Sequence, residues 1–213
     1  MSTAVFFDLD GTLLEFTKPY REVIEATLNA CLDRSTAALV ETYNENFYEA
    51  FTAIEPEPYR HGMRAVRAEA ESDVAPEALV SELYEREVAM TTVSDGARKL
   101  TESLAERHHL GVITNGLTEW QRAKLAHHDL LERFGTVVTS YEAGAHKPDS
   151  APFELARERV DADTYVMVGD DYEADIEGGR QAGFVPVHLD RGVSGGTQVR
   201  DLGALSNLLD SLA

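Results

Sequence analysis

Apolar positions along this chain fall into two regimes. From about Phe16 to Thr92 they recur at helical spacing: Tyr20, Ile24 and Leu28 lie four residues apart, as do Leu39, Tyr43, Phe47 and Phe51. Each series lays an apolar stripe along one side of a helix. A further helix is predicted from Glu77 to Met90, with Pro76 in its first turn and Leu79, Leu83 and Val88 as its apolar positions. Glu55-Pro-Glu-Pro breaks the pattern, because proline restrains the residue before it. Between Thr12 and Asp95 there is one glycine, Gly62, of fifteen in the chain, which agrees with a small helical bundle.

Elsewhere the apolar residues form short runs that end in polar or glycine-bearing turns: Ala4 to Phe7, Leu110 to Ile113, Thr136 to Thr139, Tyr165 to Val168 and Val185 to His188. Each has the length of a strand, and helical stretches such as Glu119 to His127, Ala151 to Arg159 and Ala174 to Ala182 lie between them. Strand alternating with helix predicts an α/β fold, a parallel sheet covered on both faces, interrupted by the helical insertion. Arg191-Gly-Val-Ser-Gly-Gly-Thr reads as a flexible loop, and no internal repeat is present.

Composition narrows the classes further. The 213 residues suffice for a core and an insertion, and no run reaches the roughly 18 apolar residues of a spanning helix. Met1 to Asp10 lacks the basic start and long apolar stretch of a signal peptide, so a cytoplasmic location is expected. The single cysteine, Cys31, excludes an internal disulfide and is expected in the core of its helix. With 38 acidic against 19 basic residues the formal charge is −19, which disfavours nucleic acid and anionic membrane as partners. A surface of this kind also suits a salt-rich, halophilic host, where screening removes self-repulsion; an ordinary acidic bacterial enzyme is the alternative.

Four places combine strand ends with chemistry. The first strand runs into Asp8-Leu9-Asp10-Gly11-Thr12, two carboxylates two residues apart on one side of the chain. Carboxylates this close repel unless a cation lies between them or one takes a proton, and they also suit a division into nucleophile and general acid/base. An isolated Asp-x-Asp is equally a solvated turn. Thr114-Asn115-Gly116 ends a second strand with small hydrogen-bonding groups and a glycine that lets backbone amides approach an anion. Lys147, before Pro148, is one of only four lysines against fifteen arginines. Its ammonium suits either a phosphate and carboxylate site or the surface ahead of a helix. Asp170 and Asp171 follow the strand Tyr165 to Val168, and Asp175 lies a turn later. Asp8, Asp10 and Asp170 would offer oxygen ligands to a hard cation, whereas Asp171 also suits helix capping.

As an ordered set, Asp8-Leu-Asp-Gly-Thr-Leu, Thr114-Asn-Gly, Lys147-Pro and Gly169-Asp-Asp with Asp175 resemble the haloacid dehalogenase superfamily of hydrolases, from Phe6 to Gly183. The resemblance implies a Rossmann-like three-layer core, residues 1–15 and 93–213, and a helical cap inserted after the first motif, residues 16–92. It implies a magnesium-dependent phosphatase in which Asp8 attacks phosphorus, Asp10 serves as general acid and base, and Thr114 and Lys147 complete the catalytic set. Leu9, Thr114, Asn115, Gly116 and Lys147 would bind the phosphate. Asp8, the Asp10 backbone carbonyl and Asp170 would hold Mg2+, with Asp175 and Asp171 behind them. Position 171 departs from the serine or threonine frequent in similar motifs.

The implied partner is a small phosphate ester, handled by a monomer or homodimer. The same motifs would serve a phosphoryl-transfer mutase of the phosphoglucomutase type. The carboxylate at Asp10 sets a haloacid dehalogenase further back, because dehalogenases of similar fold replace that second acid. A non-catalytic binding protein would not need every chemical position filled. Glu15, Phe16, Tyr20 and Arg21 follow the first motif and would either face a leaving group or pack within the cap. His108-His109 and His127-His128 are neighbours that point apart and lack a third ligand, so they are expected as surface or partly buried histidines. Trp120 is expected to pack at the start of its helix.

Overall fold

The structure is a computed structural model that describes residues 2–189 and the strand Gln198–Val199. In chain order it begins with β1 (Thr3–Phe7) and β2 (Glu15–Phe16), followed by α1 (Tyr20–Leu32), α2 (Ala37–Thr52), α3 (Pro58–Glu69) and α4 (Pro76–Ala89). Next come β3 (Thr91–Thr92), α5 (Asp95–Ala105), β4 (His109–Thr114), α6 (Thr118–His127), β5 (Thr136–Thr139), α7 (Ser140–Ala143) and α8 (Ala151–Arg159). Finally β6 (Thr164–Gly169), a π-helical turn (Tyr172–Glu177), α9 (Gly178–Gln181), β7 (Val185–Leu189) and β8 (Gln198–Val199) complete the described chain. It divides into two compact units, residues 1–15 with 92–213, and residues 16–91.

The first unit is an α/β Rossmann-like fold around a six-stranded sheet of order β5-β4-β1-β6-β7-β8, with each paired strand parallel to its neighbour. Strand alternation sends Val5 and Phe7 to one face, where they meet Leu100 and Leu104 of α5, Leu125 of α6, and Phe134. Ala4 and Phe6 face the other way, against Phe153 and Ala156 of α8 and Phe184. Both faces are therefore buried, and the strands read as unbroken apolar runs. β1 is central, with Phe7 in register with Val112 of β4 and Val168 of β6. The residues just past these three strands consequently emerge together at one edge of the sheet, the edge at which ligands bind in such folds.

Two local results differ from the sequence expectation. α5 was not foreseen, although Ser94 caps it by accepting from the Ala97 amide at 3.1 Å and Ala97, Leu100, Thr101 and Leu104 form its buried stripe. The single helix expected from Ala174 to Ala182 starts instead as the π-helical turn and becomes α-helical only at Gly178. Asp171 caps that turn, its Oδ1 accepting from the Glu173 and Ala174 amides at 2.9 Å each. Close packing explains the glycines that follow, since a Cβ on Gly178 would sit 2.9 Å from Pro148 Cα. The expected loop from Arg191 lies outside the described residues.

The second unit packs α1 to α4 through their apolar stripes, including Ile24 and Leu28, Tyr43 and Phe47, Met63 and Val66, and Leu79 and Leu83. Thr36 caps α2 through the Leu39 amide at 3.2 Å, and Pro58 and Pro76 open α3 and α4. Gly62 lets α3 approach α2 closely, because a Cβ there would lie 2.8 Å from the Tyr43 ring. Cys31, expected in the core, is half-buried. Tyr20 packs inside this unit, its hydroxyl donating to the buried Glu87 carboxylate at 2.7 Å and its ring meeting Phe16 edge-on. Arg21 pairs with Glu25. No helix among the described residues is long and apolar enough to cross a membrane.

Candidate active site

A pocket of about 250 Å³ opens at the carboxyl edge of the sheet, lined by Asp8, Asp10, Thr114, Asn115, Lys147, Asp170, Asp171, Ala174 and Asp175. Asp8 prolongs β1, its amide bonded to the Val168 carbonyl at 2.8 Å, so the sheet itself fixes the first carboxylate. The Lys147 ammonium donates to Asp8 Oδ1 at 2.8 Å, to the Ile113 carbonyl at 2.8 Å and to Asp175 Oδ1 at 2.5 Å. All three side chains are buried, and the positive charge between two negative ones offsets what burial would otherwise cost.

That balance sets the protonation of each group. Burial pushes the Asp8 carboxyl well above the usual carboxylate range, against the pull of Lys147, and Asp175 adds to the rise. Burial likewise raises Asp175, again opposed by Lys147. For Lys147 burial acts downward, but Asp175 and Asp8 outweigh it and hold the ammonium charged.

Oxygens of Asp8, Asp170 and Asp175 lie within 4.8 Å of one another. An all-oxygen donor set, two carboxylates buried and Asp170 exposed, has the chemistry of a Mg2+ site rather than that of a soft metal. Around it the packing leaves no slack. A Cβ on Gly11, whose φ is +93°, would come 2.5 Å from Asp170 Oδ2, and one on Gly169 would come 2.0 Å from Asp175 Oδ2. Thr12 donates its hydroxyl to Asp170 Oδ1 at 2.8 Å, and His188 Nε2 lies 3.1 Å from the Asp170 carbonyl. Asp175 also accepts from the Asp171 amide at 3.2 Å, so it reaches the lysine, the turn and the carboxylate cluster together.

Asp10 is held apart from this cluster. Its carboxylate receives the Lys124 ammonium at 2.9 and 3.1 Å and the Gln121 amide at 3.0 Å. Asn115, expected to contact phosphate, makes two side-chain bonds to the Lys147 backbone, at 2.9 and 3.1 Å, clasping the loop that carries the lysine. Gly116, with φ +155°, donates its amide to Ser140 Oγ at 2.9 Å. Sequence reasoning passed over Gln121, Lys124, Thr12, Ser140 and His188. The scarcity of lysine, which drew attention to Lys147, applied equally to Lys124. His108 and His128 are half-buried, and His109 and His127 exposed, as expected; Trp120 is buried.

Comparison with known proteins identifies the family. The family model for haloacid dehalogenase-like hydrolases matches residues 3–183. Ribulose-1,5-bisphosphate 5-phosphatase of Halopiger xanaduensis is 33% identical over 210 residues, 89% of this chain and 85% of that protein. Glyceraldehyde 3-phosphate phosphatase of Methanopyrus kandleri is 29% identical over 207 residues, 90% of this chain and 85% of that protein. Among solved structures, the 2-haloacid dehalogenase of Pseudomonas syringae pv. Tomato DC3000 superposes with a TM-score of 0.79 at 27% identity, covering 100% of both chains. With the family matched over most of its length, this chain belongs to the haloacid dehalogenase-like hydrolases.

Proposed function

We propose that the protein is a magnesium-dependent phosphatase of small phosphomonoesters, with residues 16–92 as its cap. The observation that carries this reading is the pairing of a buried, lysine-bridged Asp8 with a second carboxylate, Asp10, held separately two residues on. In this reading one carboxylate is the nucleophile and the other the proton carrier.

Asp8 attacks phosphorus and the bond from phosphorus to the ester oxygen breaks. Asp10, acting as general acid, passes a proton to that oxygen, and the alcohol leaves. A water molecule then attacks the aspartyl-phosphate, Asp10 takes its proton, and the bond to Asp8 breaks to release inorganic phosphate. The Lys147 ammonium offsets the charge that collects on the phosphoryl oxygens. Mg2+, held by Asp8, Asp170 and the Asp10 backbone carbonyl with Asp175 beside them, would supply electrostatic stabilisation of the phosphoryl group. The amides of Leu9 and Asn115 and the Thr114 hydroxyl are the remaining phosphate donors in this reading, the Gly116 amide being engaged by Ser140 Oγ.

Relatives named as a ribulose bisphosphate phosphatase and a glyceraldehyde 3-phosphate phosphatase support a small phosphorylated substrate. A second reading, halide displacement, has the dehalogenase superposition in its favour. It leaves the Asp10 carboxylate without work, so we place it second. The test is phosphate release from a panel of small phosphomonoesters, with Mg2+ and with chelator, alongside halide release from 2-haloacids. Mg2+-dependent phosphate release that Asp8→Asn abolishes supports the phosphatase. Halide release without metal favours the dehalogenase, and a phosphate that moves within a sugar phosphate favours a mutase.

A further inference from the structure

Among the described residues two lysines are buried, Lys147 in the carboxylate cluster and Lys124 on α6. An ammonium out of water needs a compensating charge, and Lys124 meets one in Asp10, its Nζ reaching both carboxylate oxygens at 2.9 and 3.1 Å. Gln121, one turn earlier on the same helix, places its Nε2 3.0 Å from Asp10 Oδ2, 3.0 Å from Thr114 Oγ1 and 3.1 Å from the Asn115 carbonyl. The loop after β4 makes room for that amide, since a Cβ on Gly116 would stand 2.7 Å from it. One helix therefore brings a charge and an amide to the same carboxylate, and the amide also ties that helix to the strand-end loop.

The Asp8-Leu9-Asp10-Gly11 turn leaves the Asp10 side chain about one quarter exposed, with neighbouring carboxylates at Asp8 and Asp170 in the same pocket. Two contacts from α6 select a single arrangement in which the Asp10 oxygens stand clear of the Asp8, Asp170 and Asp175 cluster. We infer that Lys124, assisted by Gln121, is a positioning residue that holds the Asp10 carboxylate where it exchanges protons with the leaving oxygen and the attacking water. This inference rests on the phosphatase reading and adds to it a residue more than a hundred positions away in the chain. Lys124 acts through Asp10 and touches no substrate.

The test compares alcohol release in a single turnover from two Mg2+-loaded reactions, one on a nitrophenyl phosphate, whose leaving group needs little protonation, and one on an alkyl phosphate, whose leaving group needs it fully. Lys124→Met is expected to lose about 10²-fold on the alkyl ester and to stay within about 3-fold of wild type on the nitrophenyl ester. Lys124→Gln, which keeps a neutral donor of similar length, is expected to fall between and covers the case in which the methionine variant does not fold. The Mg2+-induced rise in melting temperature should match wild type in both variants, since the cluster that holds the metal is intact. Equal losses on the two esters, or none, overturn the inference while leaving the phosphatase reading standing. A wild-type protein inert toward both esters removes the phosphatase reading, and the inference with it.

Discussion

The Lys147 ammonium lies 2.8 Å from Asp8 Oδ1, and both residues are buried. Neither is stable in that position alone: the lysine would be a charge without water, and the carboxylate would share its pocket with Asp175 and no cation. Lys147→Met should therefore abolish most activity, by about 10²- to 10³-fold in kcat, because a donor to the developing phosphoryl charge is lost. Its effect on folding should depend on pH. The orphaned carboxylates can take up protons in acid, so urea denaturation should show little destabilisation near pH 5 and a loss approaching about 3–5 kcal/mol near pH 8. A loss equal at both pH values would mean that the lysine packs rather than compensates charge.

The raised carboxyls of Asp8 and Asp175 make metal binding and pH interdependent. An acid whose folded value exceeds its unfolded one favours folding while protonated. That contribution is complete below the unfolded value near 4 and is lost as pH rises through the folded one. Lys147, raised above its ordinary value, stays charged throughout and adds no slope in this range. Metal-free protein should accordingly lose melting temperature between about pH 5 and about pH 8, whereas Mg2+, which takes only the ionised ligands, should restore it. The melting-temperature gain from Mg2+ over chelator is expected to widen with pH, and a constant gain would show that Asp8 is not among its ligands.

What the sequence made legible follows from how local each signal is. β5 at Thr136–Thr139 and α8 at Ala151–Arg159 match their expected bounds, because an apolar run or a stripe is complete within the segment itself. The α/β class follows from the same alternation, and Asp8, Thr114, Lys147 and Asp170 do meet in one pocket because parallel register aligns the ends of β1, β4 and β6. Lys124 was not legible for the opposite reason. A lysine on a short amphipathic helix reads as solvated, and its partner Asp10 lies 114 residues earlier, brought across only by the sheet. The π-helical turn escaped notice because Asp171, Gly178 and Gly179 signal a helix start and close packing without stating which hydrogen-bond period lies between them.

Two glycines separate a packing constraint from a propensity. At Gly169 an added Cβ would come within 2.0 Å of Asp175 Oδ2 and push that carboxylate off Lys147. Gly169→Ala should cost about 1–3 kcal/mol and most of the activity. Gly96 lies in α5, and the nearest atom to its added Cβ is Ser94 Oγ at 3.7 Å. Gly96→Ala should leave activity unchanged and stabilise by about 0.4–1 kcal/mol, because the alanine chain has fewer unfolded conformations to lose. Denaturant midpoints and phosphate release measured on both variants check the pair.

A formal charge of −19 on 213 residues sets the remaining expectation. Like charges spread over one small surface repel in the folded state more than in the expanded chain, so folding works against them until salt intervenes. The screening length falls from about 10 Å at 0.1 M to about 3 Å at 1 M, which cuts off all but the nearest pairs. Exposed attractive pairs such as Arg21–Glu25 weaken in the same salt, but acidic residues outnumber basic ones two to one, and repulsion is the larger sum. The melting temperature should rise with potassium chloride and level off near molar concentration, where screening is complete. A flat profile would show that the acidic residues are spaced widely enough to be harmless in dilute buffer and would remove the argument for a salt-rich host. A rise that continues linearly far past that point would mark a general solvent effect on apolar burial instead.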